Sequence, residues 1–340
     1  MPRIPVRPFQ GFSPGPSAPS GISRRRFLLT LGAAGLGAMA PLAGRVRFGA
    51  PVRIETSRAG LGTWIRIVAR HRDGAAAERA VTRAFRAIEQ VDVQMSIHRA
   101  DSELTRVNAA AGRQPVAVSA ALLAIVERAR TGALQTNHVY DPTVLPLMRL
   151  YGFYHSGRTH FPSDREIAAT LDAMGPDKIA LDPAARTLGL TRAGAAIDLG
   201  SIGKGWAVDR AVDALRAEGV TSGLVDVGRN IYGLGAPDDD ADGWRVGVLD
   251  PRDGSVARVF TLRDAAVATS GNYEQWTVLD GRKVGHLLDA HLGRPAAAHL
   301  SASVVARTGT ESDEGSTRAF LLGRAGLAGL PGVLDTHFIG

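Results

Sequence analysis

From residue 51 onward the spacing of apolar residues changes period, and that change restricts the fold class. "PVRIETSRA" (51–59) and "TWIRIVARH" (63–71) alternate apolar with polar residues, the period of a half-buried strand. The period then becomes 3.6: Val81, Phe85, Ile88, Val91 and Met95 share one helix face. "SAALLAIVERARTGAL" (119–134) predicts a second helix, and "PSDREIAATLDAM" (162–174) a third with a Ser163/Glu166 capping box. A fourth spans Ser201 to Glu218 and is closed by Gly219. Short strand patterns follow: "SGLVDV", "WRVGVLD", "ARVFTL", "AAVATS", "KVGHLLD" and "ASVVAR", before a last helix over roughly 311–322. Helices dominate the first half and strands the second. That order predicts α+β with a largely antiparallel sheet, since a doubly wound fold needs regular alternation.

The first 50 residues obey other rules. They hold seven arginines and no acidic residue, and "SRRRFLLTLGAAGLGAMAPLAG" joins a basic start to a short apolar run and small residues. The run is too short and too rich in Gly and Ala for a membrane span. Its Arg24–Arg25 pair matches the twin-arginine export pattern. We therefore expect a signal over residues 1–43, a single domain over 44–340 and a periplasmic location. An uncleaved signal would hold the chain at the inner membrane. Cleavage near Ala43 removes five arginines and no acid, so the net charge falls from +7 to +2. No Lys/Arg run remains, which argues against nucleic acid as a partner. The absence of cysteine excludes disulfides, thiolate chemistry and Cys-zinc sites.

"AIDLGSIGKGWAVDRAVDAL" (196–215) carries the first candidate site. Asp198 follows an apolar strand end, Gly200, Gly203 and Gly205 permit close backbone approach, and Ser201 is a plausible N-cap. Free N–H groups at a helix start, with Lys204 among them, suit a phosphate or pyrophosphate. The pattern is neither a Walker A loop nor G-x-G-x-x-G, and a structural strand–helix turn accounts for it equally well. The last helix carries a second candidate. Asp313 and Thr317 are four residues apart and share a face, offering two oxygens to a hard cation. His286 and Asp289, in "GHLLD", are a third.

Taken in order, these stretches resemble the periplasmic FAD:protein FMN transferases, the ApbE-like flavin transferases. "GLGT" is similar to the family's M-G-T, and "MSIHRADSELTRVN" to M-S-x-Y-x-x-x-S-E-L-x-x-x-N. "VYDPTVLPLMRLYGF" resembles A-F-D-P-T-V-x-P-L-x-x-L-W-G-F, and "IDLGSIGKGWAVDRA" resembles D-L-G-G-I-A-K-G-Y-A-V-D-R-A. "VATSGNYEQW", "GHLLDAHLGRP" and "SDEGSTRAF" are similar to A-T-S-G-x-Y, H-x-I-D-P-x-T-G-x-P and D-A-x-x-T-A-L. The resemblance runs from about Gly60 to Gly323.

It implies a two-lobed α+β fold with the active site between the lobes. It also implies Mg²⁺, FAD as substrate, release of AMP, and FMN left phosphoester-linked to a threonine of an acceptor flavoprotein. Carried over by position, Asp198, Lys204, Leu61 and His98 contact FAD, and Val139, Tyr140 and Asp141 line the nucleotide site. The Ser201 backbone, Asp313 and Thr317 hold the metal. His286 and Leu288 close over the phosphates, and His286 or Asp289 takes the acceptor's proton. Several positions depart from the family pattern. Leu61 and His98 replace Met and Tyr, Arg229 stands where glycine is expected, and "DAHLG" (289–293) replaces D-P-R-T-G. That last change keeps two alternatives open, an FAD pyrophosphatase and a non-catalytic flavin-binding protein.

Overall fold

A computed structural model describes residues 51–154, 157–237, 240–296 and 298–340. The expected signal over residues 1–43 lies outside the described residues. The first two predicted strands form a hairpin. Val52–Gly60 pairs antiparallel with Thr63–His71, and Gly60 lies opposite Thr63, so that only Leu61 and Gly62 make the turn. Both have positive φ, 50° and 68°, which matches the right-handed twist of the flanking strands.

This hairpin starts a seven-stranded sheet. Its order is Val52–Gly60, Thr63–His71, Ser222–Val227, Asn230–Leu234, Ala265–Gly271, Ser301–Ala306 and Val333–Ile339. Every neighbouring pair is antiparallel. Two of these strands have weak sequence signals. Asn230–Leu234 is short and carries Gly233, and Val333–Ile339 is an edge strand whose alternation is broken by polar residues. The expected strand "KVGHLLD" divides at His286 into Arg282–Gly285 and Leu288–Asp289.

Helix α1 (Gly74–Met95) begins at the Asp73 cap, whose carboxylate accepts the Ala75 N–H at 2.9 Å. Its predicted face packs on the sheet and on helix α6 (Gly203–Ala217), which in turn packs on α7 (Gly309–Leu322). Between them lie α2 (Glu103–Ala109), α3 (Ala120–Gln135), α4 (Leu145–Leu150) and α5 (Asp164–Leu171). The α5 capping box is formed as predicted.

The main core joins Ile65, Ile67 and Val225 of the sheet to Ile88 and Val91 of α1 and Val208 and Leu215 of α6. A smaller apolar cluster gathers Met148, Tyr151, Met174, Leu279 and Leu288. Among the described residues no helix is long and apolar enough to cross a membrane.

The glycine segment differs from expectation in two ways. Residues 195–199 are not a strand. They are held by the Asn108 side chain, which accepts the Ile197 N–H at 2.8 Å and donates to the Ile197 carbonyl at 2.9 Å. A single amide thus replaces a neighbouring strand. Nor does Ser201 cap α6: the cap position is Ile202, without a side-chain bond, and Ser201 Oγ reaches Tyr140 Oη at 3.3 Å.

Candidate active site

A cavity of about 360 Å³ lies where the main core and the smaller cluster meet, lined by Val91, Met95 and Leu199 from one and Met148 and Leu288 from the other. Ligand sites usually fall in this size range, about 300–1,000 Å³. It brings together the expected binding, metal and catalytic residues except Asp289; Gly205 and Arg229 also lie outside its lining.

The glycine loop forms one wall. Asp198 is buried and faces inward; its Oδ1 accepts the Gly200 N–H at 2.7 Å and its Oδ2 the Tyr154 hydroxyl at 3.2 Å. Lys204 Nζ donates to the Gly200 carbonyl at 2.9 Å and lies 3.7 Å from Asp313 Oδ1. Gly200 and Gly203 line the cavity, whereas the close approach at Gly205 is to another helix. A Cβ at Gly205 would sit 2.1 Å from the Gly309 carbonyl oxygen and 2.7 Å from Asp313 Cβ. Gly205 is therefore the contact point of α6 and α7. Its N–H donates to Asp313 Oδ2 at 2.9 Å, so one close crossing fixes both the helices and the carboxylate.

Helix α7 and the sheet form the floor. Asp313 is 4 % exposed, and Thr317 Oγ1 lies 3.2 Å from Ser270 Oγ. Asn230 is also 4 % exposed, and its Oδ1 has no hydrogen-bond partner among the described residues. An unpaired buried acceptor costs about 1–3 kcal/mol and invites a ligand donor. Ser270 and Asn230 were missed by sequence reasoning. Ser270 lies inside the motif "VATSGNYEQW".

The opposite wall carries Val139, Tyr140 and Asp141. The Val139 carbonyl accepts the Ala290 N–H at 3.1 Å. Burial pushes the Tyr140 hydroxyl pKa well up, and the nearby Glu314 charge adds to this. Burial also raises the Asp141 carboxyl, against the lowering effect of the Thr143 bonds at 2.6 and 2.8 Å.

The mouth is built from two hairpin tips. Leu61 lies on one, while Gly228 and Arg229 (φ 57° and 70°) form the other. Arg229 tolerates the glycine-like conformation because its N–H donates to Asp226 Oδ1 at 2.8 Å and its guanidinium to Glu274 Oε1 at 2.6 Å. His98 meets the Tyr154 ring edge-on at 5.3 Å. Tyr154, a further residue missed in the sequence, thereby links His98 to Asp198.

His286 and Asp289 part company. The His286 Nδ1 lies 3.2 Å from the Gln275 carbonyl oxygen, which can only accept, so Nδ1 carries the proton and Nε2 is the free base. Asp289 lies outside the cavity lining and its Oδ1 accepts the Leu292 N–H at 2.9 Å, closing a turn of the altered "DAHLG" segment. Of the two expected proton acceptors, only His286 lines the cavity.

Burial lowers the His286 pKa to about 4, and Lys204 also disfavours the cation. A lowered base pKa means that the unfolded chain binds more protons below pH 6.5. Stability tied to His286 is thus full at neutral pH and lost as pH falls from 6.5 towards 4. Melting at pH 7 and pH 4.5 should show a smaller acid loss in His286→Ala than in the parent. An equal loss in both would contradict the half-buried neutral imidazole.

One cavity thus gathers a lysine at a glycine loop, an unpaired amide oxygen that can accept from a ligand and a carboxylate–hydroxyl pair, the groups of a polar ligand site. The ApbE family model matches residues 61–331, and the chain belongs to that family. A Treponema pallidum FAD:protein FMN transferase is 33 % identical over 307 residues, covering 84 % of both chains. A Klebsiella pneumoniae protein of the same name is 29 % identical over 72 % of this chain and 76 % of its own. The solved flavin transferase ApbE from Vibrio cholerae superposes with a TM-score of 0.73 at 27 % identity, covering 85 % of this chain and 98 % of its own.

Proposed function

We propose that this chain is a Mg²⁺-dependent FAD:protein FMN transferase that links FMN to a threonine of an acceptor flavoprotein and releases AMP. The observation that carries this reading is the single cavity shared by the glycine loop, the Asp313–Thr317 face and His286. The acceptor hydroxyl attacks the FMN-side phosphorus. A new P–O bond forms, the pyrophosphate P–O bond breaks, AMP leaves, and the hydroxyl proton passes to His286 Nε2. Lys204 supplies positive charge beside the phosphates.

The residues present fit a magnesium ion. Asp313 and Thr317 offer oxygen alone, as a hard cation requires, and Asp313 Oδ1 already faces a cation, Lys204. The Ser201 backbone would complete the protein's share. Bound there, the metal would neutralise charge on the pyrophosphate oxygens. The rest of its shell would have to come from phosphate and water, because one carboxylate alone holds Mg²⁺ weakly.

The test is incubation of the mature protein with FAD, Mg²⁺ and a candidate acceptor, followed by mass spectrometry. AMP with FMN-modified acceptor supports the proposal. AMP with free FMN would make the chain a pyrophosphatase, and unchanged bound FAD would make it a carrier. Lys204→Ala should weaken FAD binding by about 1.5–3 kcal/mol, the usual scale for a bond involving a charged group. Unchanged affinity and turnover would return the loop to a purely structural role.

In this reading the chain works in the periplasm after twin-arginine export, near the inner membrane only where its acceptor or an uncleaved signal holds it. Replacing Arg24 and Arg25 by lysine should leave precursor in the cytoplasm. Periplasmic protein from that variant would refute the export route.

A further inference from the structure

Behind the cavity, on the far side of Tyr140, lies a buried ion network that the reaction does not use. Glu314 and Arg318, one turn apart on α7, are 1 % and 0 % exposed. Glu314 Oε1 accepts Arg318 Nη1 at 2.9 Å, and Glu314 Oε2 accepts Arg128 Nε of α3 at 2.8 Å. Arg318 gives three further donors to Gln135 Oε1 of α3 at 3.0 Å, the Gly326 carbonyl at 2.7 Å and the Ala328 carbonyl at 2.6 Å. Two arginines and one carboxylate thus bolt α3 to α7.

Room for it is made at Gly132. A Cβ there would lie 2.7 Å from Glu314 Oε1 and 3.0 Å from the Tyr140 ring. The carboxylate and the ring therefore flank the same backbone position. Both bolted helices lead directly to cavity walls. Asp313 and Thr317 lie beside Glu314 and Arg318 on α7. From the end of α3, the Thr136 hydroxyl donates to the Gly132 carbonyl at 2.8 Å and accepts the Tyr140 N–H at 3.3 Å, carrying the position of α3 to Tyr140 and Asp141.

A buried ion pair adds little net stability compared with apolar residues of similar volume, because desolvation offsets the attraction. What it does fix is geometry, since charged groups tolerate few alternative partners. We propose that Glu314 is a positioning residue: gripped by Arg128 and Arg318, it sets the separation between the Tyr140–Asp141 wall and the Asp313–Thr317 wall of the FAD cavity. This rests on the FAD reading above.

The test separates position from stability. The parent, E314Q, R128M and the double variant E314L/R318M are compared by thermal melting, by FAD affinity from flavin fluorescence, and by kcat and KM for AMP release. E314Q should lose both stability and FAD affinity. The double variant replaces the pair with apolar volume and should melt within a few degrees of the parent, yet bind FAD at least tenfold more weakly. Parental FAD affinity and turnover in the double variant would overturn the proposal and leave the bolt a stability device. Should the double variant not fold, R128M decides. Arg128 is partly exposed and gives Glu314 one bond. It should melt nearly as the parent and lose FAD affinity severalfold, and unchanged affinity would overturn the proposal. A parent that binds no FAD would refute the FAD reading itself, which is a different failure.

Discussion

Gly205→Ala is expected to abolish turnover and to lower the melting temperature sharply, although it adds one methyl group. That methyl would meet the Gly309 carbonyl at 2.1 Å and Asp313 Cβ at 2.7 Å. Neither neighbour can yield alone, since one is backbone and the other is a Cβ fixed to α7. The helices must separate by an ångström or more. Forcing a methyl into a packed contact costs about 1–3 kcal/mol, occasionally more. The functional loss should be larger, because the same crossing places Asp313 through the Gly205 N–H, and misplacement by about 1 Å can cost 10²-fold in rate.

Gly203→Ala is the control, since its added methyl would meet only Leu199 Cβ at 3.9 Å. It should leave melting unchanged or raise it by up to about 1 kcal/mol of stability through the unfolded chain. Melting curves and AMP release for the two variants decide the matter. Equal melting of the two, or full activity in Gly205→Ala, would dismiss the helix-crossing role.

That contrast also shows what the sequence could and could not disclose. Strand and helix periods were legible because each element buries one face; α1 and the two opening strands followed from spacing alone. The glycines of "GSIGKG" were legible as a requirement for closeness, but not for closeness to what. The partner of Gly205 is Gly309, more than a hundred residues away, and no local pattern carries that distance. The same holds for Asn108, whose amide supports residues 195–199 in place of the expected strand. Ser201 was read as a cap on local grounds, and tertiary contact with Tyr140 prevailed. Asp289 and His286, three residues apart, looked alike in sequence; a turn bond to Leu292 took one away from the cavity and the Gln275 carbonyl oriented the other. Tyr154, which bonds across the fold to Asp198, and Asn230, whose buried amide oxygen is unpaired, had no sequence signal beyond their neighbourhood.

Asp313→Asn is the second large effect expected, and it concerns charge where Gly205→Ala concerns shape. Asparagine keeps the acceptor for the Gly205 N–H, now at 2.9 Å, and fills the same volume. The fold should therefore persist. What disappears is the negative charge; Asp313 is the fifth residue of α7, past the first turn, so the helix dipole gains little from it. Melting should fall by a few degrees at most. In the proposed reaction, however, the same charge anchors the cation that neutralises the pyrophosphate. AMP release should then fall by about 10²-fold or more, the scale seen when a charge-stabilising group is removed from a transition state. Thr317→Val keeps its shape and loses a neutral ligand, so it should act more mildly and raise the Mg²⁺ concentration needed for half-maximal rate. Because both residues serve one ion, the double variant should be little worse than Asp313→Asn alone. Initial rates across a Mg²⁺ titration, with melting curves alongside, make the comparison. Full activity in Asp313→Asn at an unchanged Mg²⁺ requirement would place the metal elsewhere and leave the α7 face with a structural task only.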